Sequence, residues 1–191
     1  MTELIELETE RLVLRQWREA DQAPFAAINA DPRVMQHFPA CLDRARSDAL
    51  LGELQSHIDY NGWGFWAVEE KTTGALLGFV GIQIPSPDLP VFPCVEIGWR
   101  LGSAHWGRGF ATEAARGALR VGFEQLGLPE IVSFASVRNL RSRAVMKRLG
   151  MRDTGETFEH PGIPEGRPER KHCLYFLSRK QWQAANPALV V

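Results

Sequence analysis

The chain has 191 residues, 45% hydrophobic and 24% charged, with a formal net charge of −1. That length can bury one core, and the near-zero charge gives no bulk attraction to nucleic acid or to an anionic membrane, so neither is expected as a partner. Three cysteines (Cys41, Cys94, Cys173) stand far apart without a Cys-x-x-Cys pair, which argues against a disulfide framework or a metal site and fits a reducing, cytoplasmic setting.

Arg11 to Trp17 alternates apolar and polar residues, as a half-buried strand does. Glu19 to Ala30 predicts a helix that Asp31-Pro32 stops. Val34 to Ala40 is an irregular link, and Asp43 to Tyr60 a second helix with Leu50, Leu51, Leu54 and Ile58 at helical spacing. Gly64 to Glu70 and the nearly all-apolar Leu76 to Ile84 predict a hairpin through Lys71–Gly74. Four prolines between Pro85 and Pro93 force a loop before the strand Cys94 to Leu101. A glycine loop leads into a helix over Phe110 to Leu126. A strand follows at Ile131 to Val137, then a helix at Asn139 to Leu149 with Asn139 as N-cap and Gly150 closing it. Met151 to Phe158 and Lys171 to Leu177 are the last strands, separated by the His160 to Arg170 loop. Ser178 to Ala185 adds a short helix. An antiparallel front half and a βαβ-like back half make the fold class α+β (mixed α/β).

The stretch Trp106-Gly107-Arg108-Gly109-Phe110-Ala111-Thr112-Glu113-Ala114 joins a strand to a helix. Its glycines remove the Cβ atoms that would keep an anion from the backbone. The first-turn N–H groups of the helix lack partners, and its dipole adds positive charge there. A dinucleotide fold is one explanation of Gly107-x-Gly109. That motif requires an early loop, a third small residue and an acid after the next strand. Here three strands precede the loop, Thr112 takes the third place, and the next strand ends in Val137-Arg138-Asn139.

The second explanation is a resemblance. Strand, then Trp106-Gly107-Arg108-Gly109-Phe110-Ala111, then helix resembles the Gln/Arg-x-x-Gly-x-Gly/Ala hallmark of the GNAT superfamily of N-acetyltransferases, with Trp106 in place of Gln or Arg. Trp-Gly-x-Gly-Phe-Ala-Thr-Glu-Ala is similar to the branch typified by the RimJ/RimL protein N-terminal acetyltransferases. So are the opening Glu8-Thr9-Glu10-Arg11-Leu12-x-Leu14-Arg15, the strand Val95-Glu96-Ile97-Gly98-Trp99, and Asn139-x-x-Ser142. The resemblance implies one GNAT-like domain over residues 9–182 with tails at 1–8 and 183–191. It implies a twisted mixed sheet of about seven strands with helices on both faces. It further implies acetyl-CoA as cosubstrate, no metal, and a monomer or homodimer as the expected assembly.

The resemblance also assigns roles. Backbone amides from Gly107 through Arg108, Gly109, Phe110 and Ala111 to Thr112 hold the pyrophosphate of coenzyme A, with Trp106 opening the loop. The Arg108 side chain either joins them or is a solvated surface arginine. Main-chain groups of Ile97, Gly98, Trp99 and Leu101 pair with the pantetheine arm as an added strand does, and one amide polarises the thioester carbonyl. Gly98 marks either close ligand approach or a bulge. Glu96, an acid in an otherwise apolar strand, is the candidate base; the alternative is a structural pairing with an arginine. Ser142 stands at the position of the acid that protonates the leaving thiolate, or merely stabilises it, or caps the helix. Asn139 caps that helix and reaches the pantetheine. The Arg138–Arg148 basic run is mostly solvated. The Val34–Ala40 link and the His160–Arg170 loop are expected to line the acceptor pocket, with Trp63 and Trp66 as walls. The expected reaction is transfer of an acetyl group from acetyl-CoA to a primary amine, either a protein N-terminus or a small molecule. The alternative is an acyl-CoA-binding module with little catalysis.

Overall fold

In the computed structural model of the chain, which describes residues 3–187, the alternating N-terminal sequence pairs as strands. β1 (Leu7–Glu8) and β2 (Leu12–Arg15) lead antiparallel into β3 (Phe65–Glu70), β4 (Leu76–Gln83) and β5 (Glu96–Leu101). β6 (Glu130–Ser136), β7 (Arg152–Glu159) and β8 (Lys171–Ser178) complete one eight-stranded sheet in the order 1-2-3-4-5-6-8-7. β1 is the strand beyond the seven expected. It takes in part of the stretch expected as a tail: the Ile5 amide donates to the Gly62 carbonyl at 2.8 Å, and Trp66 Nε1 donates to the Ile5 carbonyl at 2.8 Å. At the other end, residues 188–191 of the expected tail lie outside the described residues.

The helix expected from Glu19 opens as a 3₁₀ turn, Glu19–Asp21, before α1 (Gln22–Ala30). Asp21 is drawn inward by a two-pronged bond from Arg15, at 2.7 and 2.9 Å, and both groups are buried. Part of the expected irregular link is helical instead, as α2 (Pro32–Met35). Asp31 accepts from the Arg33 amide, and Pro32 takes a first-turn position that needs no N–H. α3 (Arg44–Asn61) is capped by Asp43.

α4 (Phe110–Arg120) follows the glycine loop and runs into one π-helical turn, Val121–Gln125. There Gly122 lies against Ile131 and Ile82, where a Cβ would stand 2.6 Å from Ile131 Cδ1. α5 (Leu140–Arg148) and α6 (Arg179–Ala185) complete the chain. Phe25 of α1 meets Phe79 of β4, whereas the turn after α4 meets Ile82. Residues three apart on a strand point to opposite faces, so helices cover both faces of the sheet. The largest fully buried side chains, among them Trp66, Tyr175, Phe25 and Phe110, fix those two layers against it.

One discontinuity matters for function. β5 and β6 are parallel neighbours at the centre of the sheet, yet they register at one position only, Glu96 with Val132. The Val132 amide donates to the Val95 carbonyl at 3.0 Å, and the Ser133 hydroxyl donates to the Ile97 carbonyl at 2.9 Å. Beyond that point no ladder joins the two strands.

Candidate active site

A cavity of about 800 Å³ opens where β5 and β6 part. Its wall includes Glu96, Ile97, Gly98, Trp99 and Leu101 from β5. It also includes Trp106, Gly107, Gly109, Phe110, Ala111 and Thr112 from the loop and α4, and Asn139 and Ser142 at the start of α5. Every site residue expected from sequence is on that wall except Arg108.

Main-chain groups along a strand alternate in direction. Since the Val95 and Ile97 carbonyls bond to β6, the main-chain groups of Trp99 and Leu101 also face the gap, while those of Gly98 and Arg100 pair with β4. The Leu101 carbonyl is already taken by Trp106 Nε1 at 2.9 Å. The indole that replaces Gln or Arg in the loop therefore ends β5 and fastens the loop to it. Gly98 has a packing reason: a Cβ there would stand 2.8 Å from Cζ of Phe65.

At the loop, Gly107 (φ 74°) and Gly109 (φ 81°) both occupy the left-handed region. Nothing lies within 4 Å of the place where a Gly107 Cβ would be, so the backbone there is open to an approaching group. The first helical bond of α4 runs from the Glu113 amide to the Gly109 carbonyl. The amides of Phe110, Ala111 and Thr112 before it have no helical partner. Such a cradle fits the diphosphate of coenzyme A, and the open gap beyond it fits an extended pantetheine chain.

The Arg108 guanidinium donates to Glu70 at 2.9 Å and lies over the Phe110 ring, 4.5 Å from its centre. Arg11 covers the same ring at 4.5 Å and donates to the Arg108 carbonyl at 3.0 Å. Glu113 draws these parts together. It accepts from the Thr9 hydroxyl at 2.6 Å, the Arg11 amide at 2.8 Å and Arg11 Nε at 2.7 Å. The N-terminal segment thus braces the glycine loop, a function that the strand alternation around Arg11 does not signal.

Glu96 accepts one hydrogen bond, from Gln83 Nε2 at 2.8 Å, and no arginine pairs with it among the described residues. Burial among apolar neighbours raises its carboxyl pKa to about 7, against which the Gln83 bond works only in part. On α5, the Asn139 side chain accepts from the Ser142 amide at 3.1 Å. The Ser142 hydroxyl accepts from Trp99 Nε1 at 3.3 Å, which leaves its own proton free to donate. Of the basic run, Arg141 lies 4.4 Å over Trp106, while Arg143 is drawn to Asp153.

Both segments expected beside the acceptor contribute to the wall, through His37 and Phe38 on one and His160 and Ile163 on the other. Trp63 and Trp66 do not. Trp66 is fully buried beneath Ile5, and Trp63 packs against His57. An aromatic group without a local sequence signal also lies here: His160 and His172 are 4.8 Å apart beside Phe134 and Phe158. Burial, the neighbouring His172 and Arg170 lower His160 to about 4, and burial also lowers His37 and His172. Only the β7–β8–β6 register, which sets His172 opposite Phe158 and Ser136, could have signalled that group. No group of three or more potential ligands suited to a metal occurs among the described residues.

Residues 11–152 match the family described as acetyltransferase (GNAT) domain. The chain is a GNAT acetyltransferase. It is 32% identical to the YkkB protein of Bacillus subtilis over 149 residues, 76% of this chain and 84% of that one. A solved acetyltransferase from Agrobacterium tumefaciens superposes with a TM-score of 0.71 at 30% identity, over 93% of this chain and 96% of the other. RimJ of Mycobacterium smegmatis, solved with a CoA-disulfide, superposes at 0.68 and 21% identity over 92% and 89%. As a GNAT acetyltransferase it is an acetyl-CoA-dependent N-acetyltransferase, and the cavity holds the loop, the parted strands and the lone carboxylate in one continuous wall.

Proposed function

We propose that the acetyl acceptor is a primary amine, that it attacks the thioester directly, and that Glu96 takes its proton. The observation that carries this reading is a lone carboxylate, poised at about 7, on the cavity wall where β5 and β6 part. A base with that pKa is half ionised near neutrality and matches general-base work at that pH. The amine nitrogen forms a bond to the carbonyl carbon, and a backbone N–H of β5 steadies the developing oxyanion. Collapse breaks the carbon–sulfur bond. The amine proton goes to Glu96, and the thiolate is steadied or protonated by the Ser142 hydroxyl. Amides of the Gly107–Thr112 loop hold the pyrophosphate, and the β5 main chain holds the pantetheine.

The test is thiol release from acetyl-CoA against a panel of small amines and short peptides. Glu96→Gln is expected to lower kcat by about 10²-fold or more and to abolish the rise of rate with pH through about 7. A Glu96→Gln variant with the wild-type pH profile removes Glu96 as the base. Tight acetyl-CoA binding without acetylation of any amine replaces the enzyme with a binding module.

A further inference from the structure

On the face of β5 that carries Glu96, the next two side-chain positions are Gly98 and Arg100. Gly98 is roofed by the Phe65 ring, which stacks on Phe79 at 4.9 Å between centres. Arg100 sits between Phe38 and Phe79, its guanidinium carbon 4.2 and 5.3 Å from the two ring centres. Its Nη1 donates to Asn29 at 2.7 Å. Asn29 is itself fully buried and held by Ser47, so this end of the guanidinium is anchored. The opposite edge is not: Nε is buried without a partner, and no carboxylate among the described residues pairs with Arg100.

The surroundings share that bias. Among the described residues lining the cavity, Glu96 is the one carboxylate, against Arg33, Arg100, Arg141 and Arg148. Arg33 is neutralised by Asp31, Arg141 lies over Trp106 beside the loop, and Arg148, the last residue of α5, borders Gly109 and Thr112 at that same end. That leaves Arg100 as the uncompensated cation of the acceptor half. Burial lowers its pKa to about 10, which still leaves it charged at neutral pH. A half-buried cation whose buried Nε has no partner is costly, and an Arg edge with two free N–H groups matches a carboxylate's two oxygens.

We infer that the acceptor is an amine that also carries an anionic group, which the open edge of Arg100 binds while the amine lies at Glu96 and an apolar stretch between them rests on Phe65 and Phe79. This rests on the proposed amine transfer and specifies its substrate class. A free amino carboxylate and a peptide whose terminus is followed by an acidic side chain share that chemistry. A diamine or polyamine sets a second cation against Arg100 and is disfavoured.

The test separates binding from turnover. Calorimetry on the CoA-saturated protein compares 6-aminohexanoate, hexylamine and 1,6-diaminohexane, and likewise the four- and eight-carbon series. A parallel arm compares short peptides with Glu or Lys as second residue. At least one anionic amine is expected to bind tenfold or more tighter than its uncharged and cationic counterparts. Preference within the amino carboxylates identifies a small-molecule acceptor, and preference within the Glu peptides a protein terminus. Arg100→Gln is expected to bring the ratio near one. Arg100→Lys, which keeps the charge but loses the fork, is expected to retain part of it. If Arg100→Gln does not fold, the wild-type ranking and Arg100→Lys decide. Equal or tighter binding of the diamines, no binding of any anionic amine, or an unchanged ratio in Arg100→Gln overturns the inference. Selective binding without acetyl transfer upholds it while overturning amine transfer.

Discussion

At the scale of single residues, Glu96 links catalysis to stability. Its folded pKa of about 7 lies above the ordinary value of 4.5, so the folded state holds a proton that the unfolded state has released. The fold therefore gains nothing from ionised Glu96. Stability falls as pH rises from about 4.5 to about 7, by about 3 kcal/mol, since each pH unit of that interval is worth about 1.4 kcal/mol. Glu96→Gln removes the titration, and urea unfolding at fixed ionic strength is expected to give a flatter pH profile, with the variant gaining on the wild type toward pH 7. A parallel pair of profiles would show that the carboxyl is ordinary. Ser142 makes a separate prediction. Ser142→Ala keeps the Asn139 bond to the backbone amide and removes only the hydroxyl near Trp99. A drop in kcat of about 10-fold or more is expected if that hydroxyl meets the leaving sulfur. Wild-type turnover would remove the Ser142 hydroxyl from the chemistry.

At the scale of elements, the glycine loop depends on the β1–β2 turn, about a hundred residues earlier in the chain. Glu113 in the first turn of α4 holds Thr9 and Arg11, and Arg11 holds the Arg108 carbonyl. Glu113→Gln keeps the size but weakens three charge-assisted bonds. With Arg11 partly exposed, about 1–2 kcal/mol is expected, a Tm drop of about 3–6 °C, together with a raised KM for acetyl-CoA. An unchanged KM would mean that the loop keeps its shape unaided. The loop, α4 and α5 were legible because glycines, a helix period and an N-cap are local signals. Glu96 stood out as the acid of an apolar strand. The brace from Thr9 and Arg11 was not legible, since residues so far apart in sequence are joined only by tertiary packing. Nor was the setting of Arg100, whose partners Asn29, Phe38 and Phe79 come from three different segments. Arg108 was ambiguous for the same reason. Its partner Glu70 sits at the end of β3, and only folding brings the two within 2.9 Å.

At the scale of the whole molecule, the sheet is two smaller sheets, β1–β5 and β6–β8–β7, joined by one registered pair. If coenzyme A lies in the gap as an added strand, amide exchange should follow a two-residue rhythm. The amides of Trp99 and Leu101 are expected to exchange quickly in the free protein and slow by an order of magnitude or more when coenzyme A is added. Those of Gly98 and Arg100 stay protected throughout by β4. Uniform protection along β5 would contradict a vacant ladder. An ordinary open sheet has two rims, here β1 and β7. This one has two more in its interior, the unpaired flanks of β5 and β6, and a bare strand flank is a template for any extended chain that reaches it. Proteins usually blunt such flanks with charge or proline, but a flank that takes the cosubstrate, as proposed for β5, must stay bare. Solubility then becomes a function of metabolite supply: the acetyltransferase should resist aggregation better in a cell replete with coenzyme A than in one depleted of it.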